Sequence, residues 1–201
     1  MQTVRTWYLT QMATFALLFK KRELALASYN KILAQQPQHT LTMSRIAFLY
    51  AEDGNRPRAI AEFKRVVAIN ANDADSWFNL GFLLQEEGDH AAAIAVFDHA
   101  IASNERHDRA WYGKGLSLIA LDRHAEAIAP LKKNVALQPM SPYGHMQLAR
   151  TYFKLGDRER CEKCMRRLKG FDPKNAATLD DETGIDIGVE RWWKQSGTSS
   201  R

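Results

Sequence analysis

The feature with the plainest chemical potential is the pair Cys161-x-x-Cys164. Two thiols at this spacing can supply half of a zinc site or open and close a disulfide. A structural zinc needs four ligands, yet the chain has only these two cysteines, and His145 is the nearest histidine in sequence. A redox-active pair of this spacing belongs in a βαβ setting. Arg160, Lys163, Arg166 and Arg167 surround the thiols, and such neighbours depress a thiol pKa. That leaves an oxidation-sensitive thiol as the one reactive reading, against the plainer one of a small buried side chain. His39, His90, His99, His107, His124 and His145 share no cluster. No nucleophile is paired with a base, and no glycine-rich phosphate loop occurs. Neither catalysis nor a cofactor or metal is expected.

The charged residues point the same way. With 28 Lys and Arg against 23 Asp and Glu the chain is mildly basic, which permits acidic partners without requiring them. The basic residues concentrate late, in Arg150, Lys154, Arg158, Arg160, Lys163, Arg166, Arg167, Lys169 and Lys174, with Glu159 and Glu162 interleaved. Interleaving describes a solvated helix face; nucleic acid would need a contiguous basic strip with a reading element, so it is not an expected partner. Asp75, Glu86, Glu87, Asp89 and Asp98 form an earlier acidic stretch, and the resulting polarity can orient a charged ligand. No run reaches the ~18 apolar residues of a membrane span. The nearest, Trp7–Phe19, is followed at once by Lys20-Lys21-Arg22, the reverse of a secretory signal. The expected location is cytoplasmic, with an exported or membrane-associated form through this N-terminal apolar helix as the alternative.

The elements that must carry these residues follow from a 34-residue period. Ala25, Ala59, Ala93, Ala127 and Cys161 fall in one register, Ala13, Ala47, Gly81, Gly115 and Ala149 in a second, and Tyr29, Phe63, Phe97, Leu131 and Met165 in a third. Gly54, Gly88 and Gly156 share a phase at which Lys20 and Asp122 substitute. Within each unit the apolar spacing is that of two amphipathic helices. Trp77, Leu80, Gly81 and Leu84 are followed by a turn at Glu87-Gly88-Asp89, then by Ala93, Ile94, Phe97, Ala100 and Ile101. Glycine suits the left-handed residue that ends the first helix, and Asn55, Asp89 or Asp157 can accept from the next helix's free amides. Small residues mark where the two helices cross, and bulky ones fill the space between pairs. No pair can bury its apolar face alone, so neighbours stack. The units are 6–39, 40–73, 74–107, 108–141 and 142–175, making residues 1–175 one array and 176–201 a C-terminal segment. Pro130 inside a second helix predicts a local kink, and Lys114 at a normally apolar position predicts a snorkelling side chain.

WFNLGFLLQEEGDHAAAIAVFDHAIA (77–102) and WYGKGLSLIALDRHAEAIAPLKKNVALQP (111–139) resemble the tetratricopeptide repeat, the other three units more loosely, with Leu9, Met43 and His145 where Trp is usual. The resemblance covers 6–175 and implies an all-α solenoid, a right-handed superhelix of antiparallel helix pairs. It is nearly silent on function, which many unrelated proteins of this scaffold do not share. It places the first helix of each pair on a concave surface, and so implies a peptide-binding groove of Arg45, Phe48, Phe78, Asn79, Phe82, Arg109, Tyr112 and Arg150. Some of these aromatics are expected merely to pack between helices. The carboxylate clamp of the family's chaperone-binding members would fall on Ser44, Phe48, Asn79, Arg109 and Gly113 and is not matched. The asparagine ladder of the sugar-transferase relatives would fall on Gln11, Arg45, Asn79, Gly113 and Gln147 and is absent too.

The pattern stops after Asn175, where Asp180-Asp181-Glu182 and Gly184 interrupt what starts as another helix, so the usual polar cap is expected to be short or missing. The last residues, from Ser196, read as a disordered end. Poorly capped ends associate, which makes Phe15, Phe19, Trp192 and Trp193 candidate self-association residues; a weak homodimer, or a tail folded back on the last unit, is expected. The sequence thus predicts a bacterial-type adaptor that binds a peptide or helix of another protein. A self-assembling structural module is the main alternative, and the non-catalytic subunit of an enzyme complex a further one.

Overall fold

The structure is a computed structural model and describes residues 2–191 and Trp193. Its regular elements are eleven α-helices, α1 (Gln2–Leu18), α2 (Arg22–Gln35), α3 (Thr40–Glu52), α4 (Arg56–Ile69), α5 (Ala74–Glu86), α6 (His90–Ser103), α7 (Asp108–Ala120), α8 (His124–Leu137), α9 (Pro142–Lys154), α10 (Arg158–Lys169) and α11 (Pro173–Thr183). They fall into two compact units, the first ending at Asn104 and holding α1 to α6, the second starting at Glu105 and holding α7 to α11. Among the described residues no helix is long and apolar enough to cross a membrane.

Local sequence explains where the helices start and stop. Asn55, Asp73, Asp89, Asp157 and Asp172 each accept from the backbone N–H three residues on, satisfying one of the free amides of a helix start. His39 and His107 do the same for α3 and α7 through Nδ1. First helices end in a left-handed residue: Gly54, Gly88 and Gly156 at φ 73°, 81° and 75°, and Lys20 and Asp122 at 58° and 57°. The chain then closes with an N–H to the carbonyl five residues back, at 2.8 Å for Lys21 to Ala16 and 2.9 Å for Arg123 to Leu118, the Schellman arrangement. At Lys20 and Asp122 the Cβ makes that conformation cost about 1–2 kcal/mol.

Packing follows the small-residue registers. Ala13, Ala25, Ala47, Ala59, Ala93, Ala127, Ala149 and Cys161 have no exposed surface. Tyr29, Phe63, Phe97, Leu131 and Met165 are also buried, each contributing about 1.5–3 kcal/mol. The crossings are tightest where glycine stands. A Cβ at Gly81 would lie 2.7 Å from the Phe97 ring, and one at Gly115 2.7 Å from a Leu131 methyl. In the first unit Arg22 at the start of α2 pairs with Glu52 (2.7 Å) and Asp53 at the end of α3. Arg56 of α4 repeats the bridge to Glu86 (3.4 Å) and Glu87 (3.7 Å) of the next pair. In the second unit α8 runs through Pro130, whose ring is buried. The missing N–H leaves the carbonyl of Glu126 without its ladder donor.

The C-terminal segment departs from expectation. Residues 173–183 form a helix that packs on α9 and α10. It opens with Asp172 as cap and Pro173 in its first turn, and ends at left-handed Gly184. Asp181 and Glu182 sit on its exposed side, whereas Ala176, Ala177 and Leu179 are buried. Asp181 and Glu182 are therefore the outer face of an amphipathic helix, while the Asp180 side chain turns inward, and the triplet does not interrupt the helix. Beyond Gly184 the chain folds back and buries Ile185 and Ile187. The Lys169 ammonium donates to the carbonyls of Ile187 (3.2 Å) and Gly188 (2.7 Å), and Arg191 reaches Asp181 at 2.7 Å.

Candidate functional site

The residues expected to line a groove lie on first helices, in two sets that belong to different units. In the first unit a cleft of about 480 Å³ opens between α1, α2 and α3. The Arg45 guanidinium stands 6.0 Å over the Tyr29 ring on its wall. Phe48 meets Phe63 edge to face at 5.4 Å and remains 46% exposed. One period later, Phe82 of α5 is 47% exposed and lies 6.4 Å from Phe78, which leans on Phe97 at 6.1 Å. Asn79 between them is half-buried, and its side chain makes no hydrogen bond among the described residues. Each of these aromatics therefore has one side against the core. Phe48 and Phe82 keep the other side in water.

The second unit holds Arg109, Tyr112 and Arg150. Arg109 is exposed and Tyr112 half-buried. The Gln147 amide hydrogen-bonds the Tyr112 oxygen, and burial still raises that phenol above its ordinary pKa. Arg150 is engaged by Glu182 of α11 through two bonds of 2.7 Å. The hydrogen bond from Arg150 holds the Glu182 carboxyl below the usual carboxylate range. Sequence reasoning missed Glu182, because its place depends on α11, which the sequence reads as broken.

The surroundings of the two thiols fit the plainer reading, with Cys161 buried and Cys164 half-buried. Burial pushes the Cys161 thiol up, and Cys164 up to about 11, against the opposing pull of Lys132, Lys163 and Arg167. Desolvation of the thiolate outweighs the basic neighbours, and Cys161 donates to the Met165 sulfur at 3.7 Å. Several histidines have structural places. His39 and His107 cap helices, His99 stacks on Trp77 at 4.5 Å, and buried His145 bonds the Pro139 carbonyl through Nε2 at 3.0 Å. The capping pair was detectable, since residues 39, 73 and 107 share one phase of the period and Asp73 is an ordinary cap.

Of the residues expected to associate, Phe15 and Phe19 are 62% and 57% exposed, with ring centroids 4.7 Å apart. Trp7, Tyr8, Met12 and Leu18 extend the same apolar surface of α1. Trp193 is half-buried and has a partner within the chain. Trp192 lies outside the described residues.

Residues 44–103 and 78–145 match a family profile described as Tetratricopeptide repeat, and residues 143–175 match a second profile of the same description. No curated protein matches the chain significantly in sequence. Among solved structures, the MamA protein is 20% identical over 91% of this chain and 97% of its own, with a TM-score of 0.76. YrrB, described as a TPR protein with an unusual peptide-binding site, is 18% identical over 86% of this chain and 90% of its own, with a TM-score of 0.73. PilW, described as a widely conserved type IV pilus biogenesis factor, is 23% identical over 88% of this chain and 86% of its own, with a TM-score of 0.67. At these identities the likeness is one of fold.

Proposed function

The chain belongs to the tetratricopeptide repeat family, and from that premise we propose that it is a protein-interaction scaffold whose first helices hold an extended segment of a partner. The observation that carries this reading is the pair Phe48 and Phe82, half in water at the same position of successive first helices, with the uncommitted amide of Asn79 beside them. An extended peptide must satisfy its backbone amides and bury its anchors together. Phe48, Phe78 and Phe82 would take apolar anchors, Asn79 the backbone, and Arg45 an acidic group. In the second unit, taken by itself, Tyr112 would take an apolar group and Arg109 an acidic one. Arg150 would receive a ligand carboxylate in exchange for Glu182. The peptide-binding site in the description of YrrB supports the reading at the level of the fold.

The test is selection of peptides from a displayed random library, followed by titration of the selected sequences. Truncating an anchor at the centre of an interface costs ≥ ~2 kcal/mol, so Phe82→Ala and Asn79→Ala should each weaken binding about thirtyfold or more at unchanged thermal stability. Arg166→Ala, on α10, should leave it unchanged. Selected peptides that bind both groove variants as tightly as the wild type overturn the reading. A second reading, self-assembly through α1, is favoured by the exposed surface around Phe15 and Phe19.

A further inference from the structure

The second unit contains a cleft of about 310 Å³ between α8, α9 and α10, at the lower end of the size range of ligand pockets. Its floor is apolar, made by Val135 of α8, Leu148 and Tyr152 of α9 and Cys164 of α10. Its walls carry Lys132, Arg160, Lys163 and Arg167, and no carboxylate lines it. Glu162 of α10 pairs with Arg158 (3.4 Å) and Arg166 (3.5 Å), neither of which lines the cleft, whereas Asp157, the cap of α10, pairs with Arg160 on the wall (3.1 Å). Lys132, Lys163 and Arg167 make no ion pair among the described residues. Buried His145 donates through Nε2 to Pro139, and burial holds its pKa below the ordinary value. The interior is therefore largely apolar, and the positive charge stands at its exposed rim.

Like charges gathered around one small cleft repel each other. Local conflicts of this kind concentrate at functional sites. The conflict is resolved by a ligand that presents negative charge at the mouth and an apolar group to the floor. We propose that this cleft is a second docking surface, which takes one large apolar side chain of a partner protein flanked on the partner's chain by aspartates or glutamates. The cations of the cleft come from two helices, so acids on both flanks of an apolar anchor meet a positive group. Val135, Leu148 and Tyr152 give affinity through area removed from water. The cations give selectivity and rate of encounter more than strength.

The test uses the full chain and four ten-residue peptides of alternating Asp and Glu, labelled for fluorescence anisotropy, with Phe, Leu, Ala or Lys at the centre. The Phe and Leu peptides should bind at least tenfold more tightly than the Ala peptide. Lys132→Glu with Lys163→Glu should weaken them at least tenfold; both lysines are exposed, so the fold is preserved, and unchanged circular dichroism verifies it. Added salt should weaken the wild type more than that variant. In a Phe82→Ala background the loss caused by Lys132→Glu with Lys163→Glu should be the same as in the wild type, which separates this result from the first-helix site. Equal binding of the Phe and Ala peptides would reduce the cleft to a generic basic surface and overturn the proposal. So would displacement of the Phe peptide by octanoate as readily as by unlabelled peptide, which would make it a small-molecule site, or no binding at all.

Discussion

The first and last helices meet one physical problem and solve it differently. In an array of helix pairs the apolar face of each pair is covered by its neighbour, and the terminal pairs lack one. At the C-terminal end α11 buries Ala176, Ala177 and Leu179, presents Asp181 and Glu182 outward, and is followed by a return that buries Ile185 and Ile187. At α1 nothing among the described residues plays that part, and Trp7, Tyr8, Phe15, Leu18 and Phe19 face outward. One end is closed by its own chain, with polar groups outside. The other keeps the composition of an interior surface, which is the composition of an interface.

The largest expected effect that would break this contrast is at the closed end. Ile185→Ala removes a fully buried side chain and should cost about 2–5 kcal/mol, read as a lower denaturation midpoint. Leu18→Ala on the open end should stay within roughly 0.5 kcal/mol. If the two substitutions behave alike, the ends do not differ. Next is association. Phe15→Ser with Phe19→Ser removes two side chains that would each contribute about 1.5–3 kcal/mol if covered by a second molecule. The wild type should show concentration-dependent mass in light scattering and the variant should stay monomeric, with no change in midpoint. A wild type that remains monomeric at millimolar concentration removes self-assembly from the open end.

A smaller and opposite pair of effects sharpens the comparison. Lys20 ends α1 and Gly184 ends α11, both in the left-handed region, at φ 58° and 67°. Lys20→Gly should raise stability and Gly184→Ala lower it, each by about 1 kcal/mol. A gain at both would mean that Gly184 does not need its conformation. The smallest effect is at Arg150–Glu182, where both partners are partly exposed, so the pair is worth about 0–1 kcal/mol. Its hydrogen bond lowers the folded-state pKa of Glu182. The contribution is therefore complete above the unfolded value of about 4.3 and is lost as pH falls through the lower folded value. Glu182→Gln should flatten that acid-side slope and nowhere else.

How much of this was legible depends on whether the deciding quantity repeats along the chain. The 34-residue register located the crossings, since Ala25, Ala59, Ala93, Ala127 and Cys161 are all fully buried. It also flagged Lys20 and Asp122 at the glycine phase, where the backbone is left-handed. The caps at Asn55, Asp89 and Asp157 were read from the same phase. What did not repeat was misread. Asp180-Asp181-Glu182 has no counterpart in the earlier units, so the outward place of Asp181 and Glu182 could be known only once Leu179 was seen inside. The Cys161 thiol, by contrast, was readable as buried, because it continues the small-residue register through Ala127. Arg45, Phe48, Phe78, Asn79 and Phe82 lie on first helices of one unit, with Arg109, Tyr112 and Arg150 on first helices of the other. Which of them touch a ligand is a matter for the titrations above.

The contact between Gly81 and Phe97 also constrains how this sequence can change over generations. The two positions share one volume: a methyl added at residue 81 would strike the ring at 2.7 Å, costing roughly 1–3 kcal/mol by overpacking. Shrinking the ring first would leave a cavity costing roughly 3–5 kcal/mol for Phe→Ala. Either change alone lowers stability, and because the two groups touch, their costs are not additive. Gly115 and Leu131 form a second such couple at the same separation. In relatives of this chain the residues at each couple should therefore vary as a pair, small with large, and drift at one position should wait upon the other.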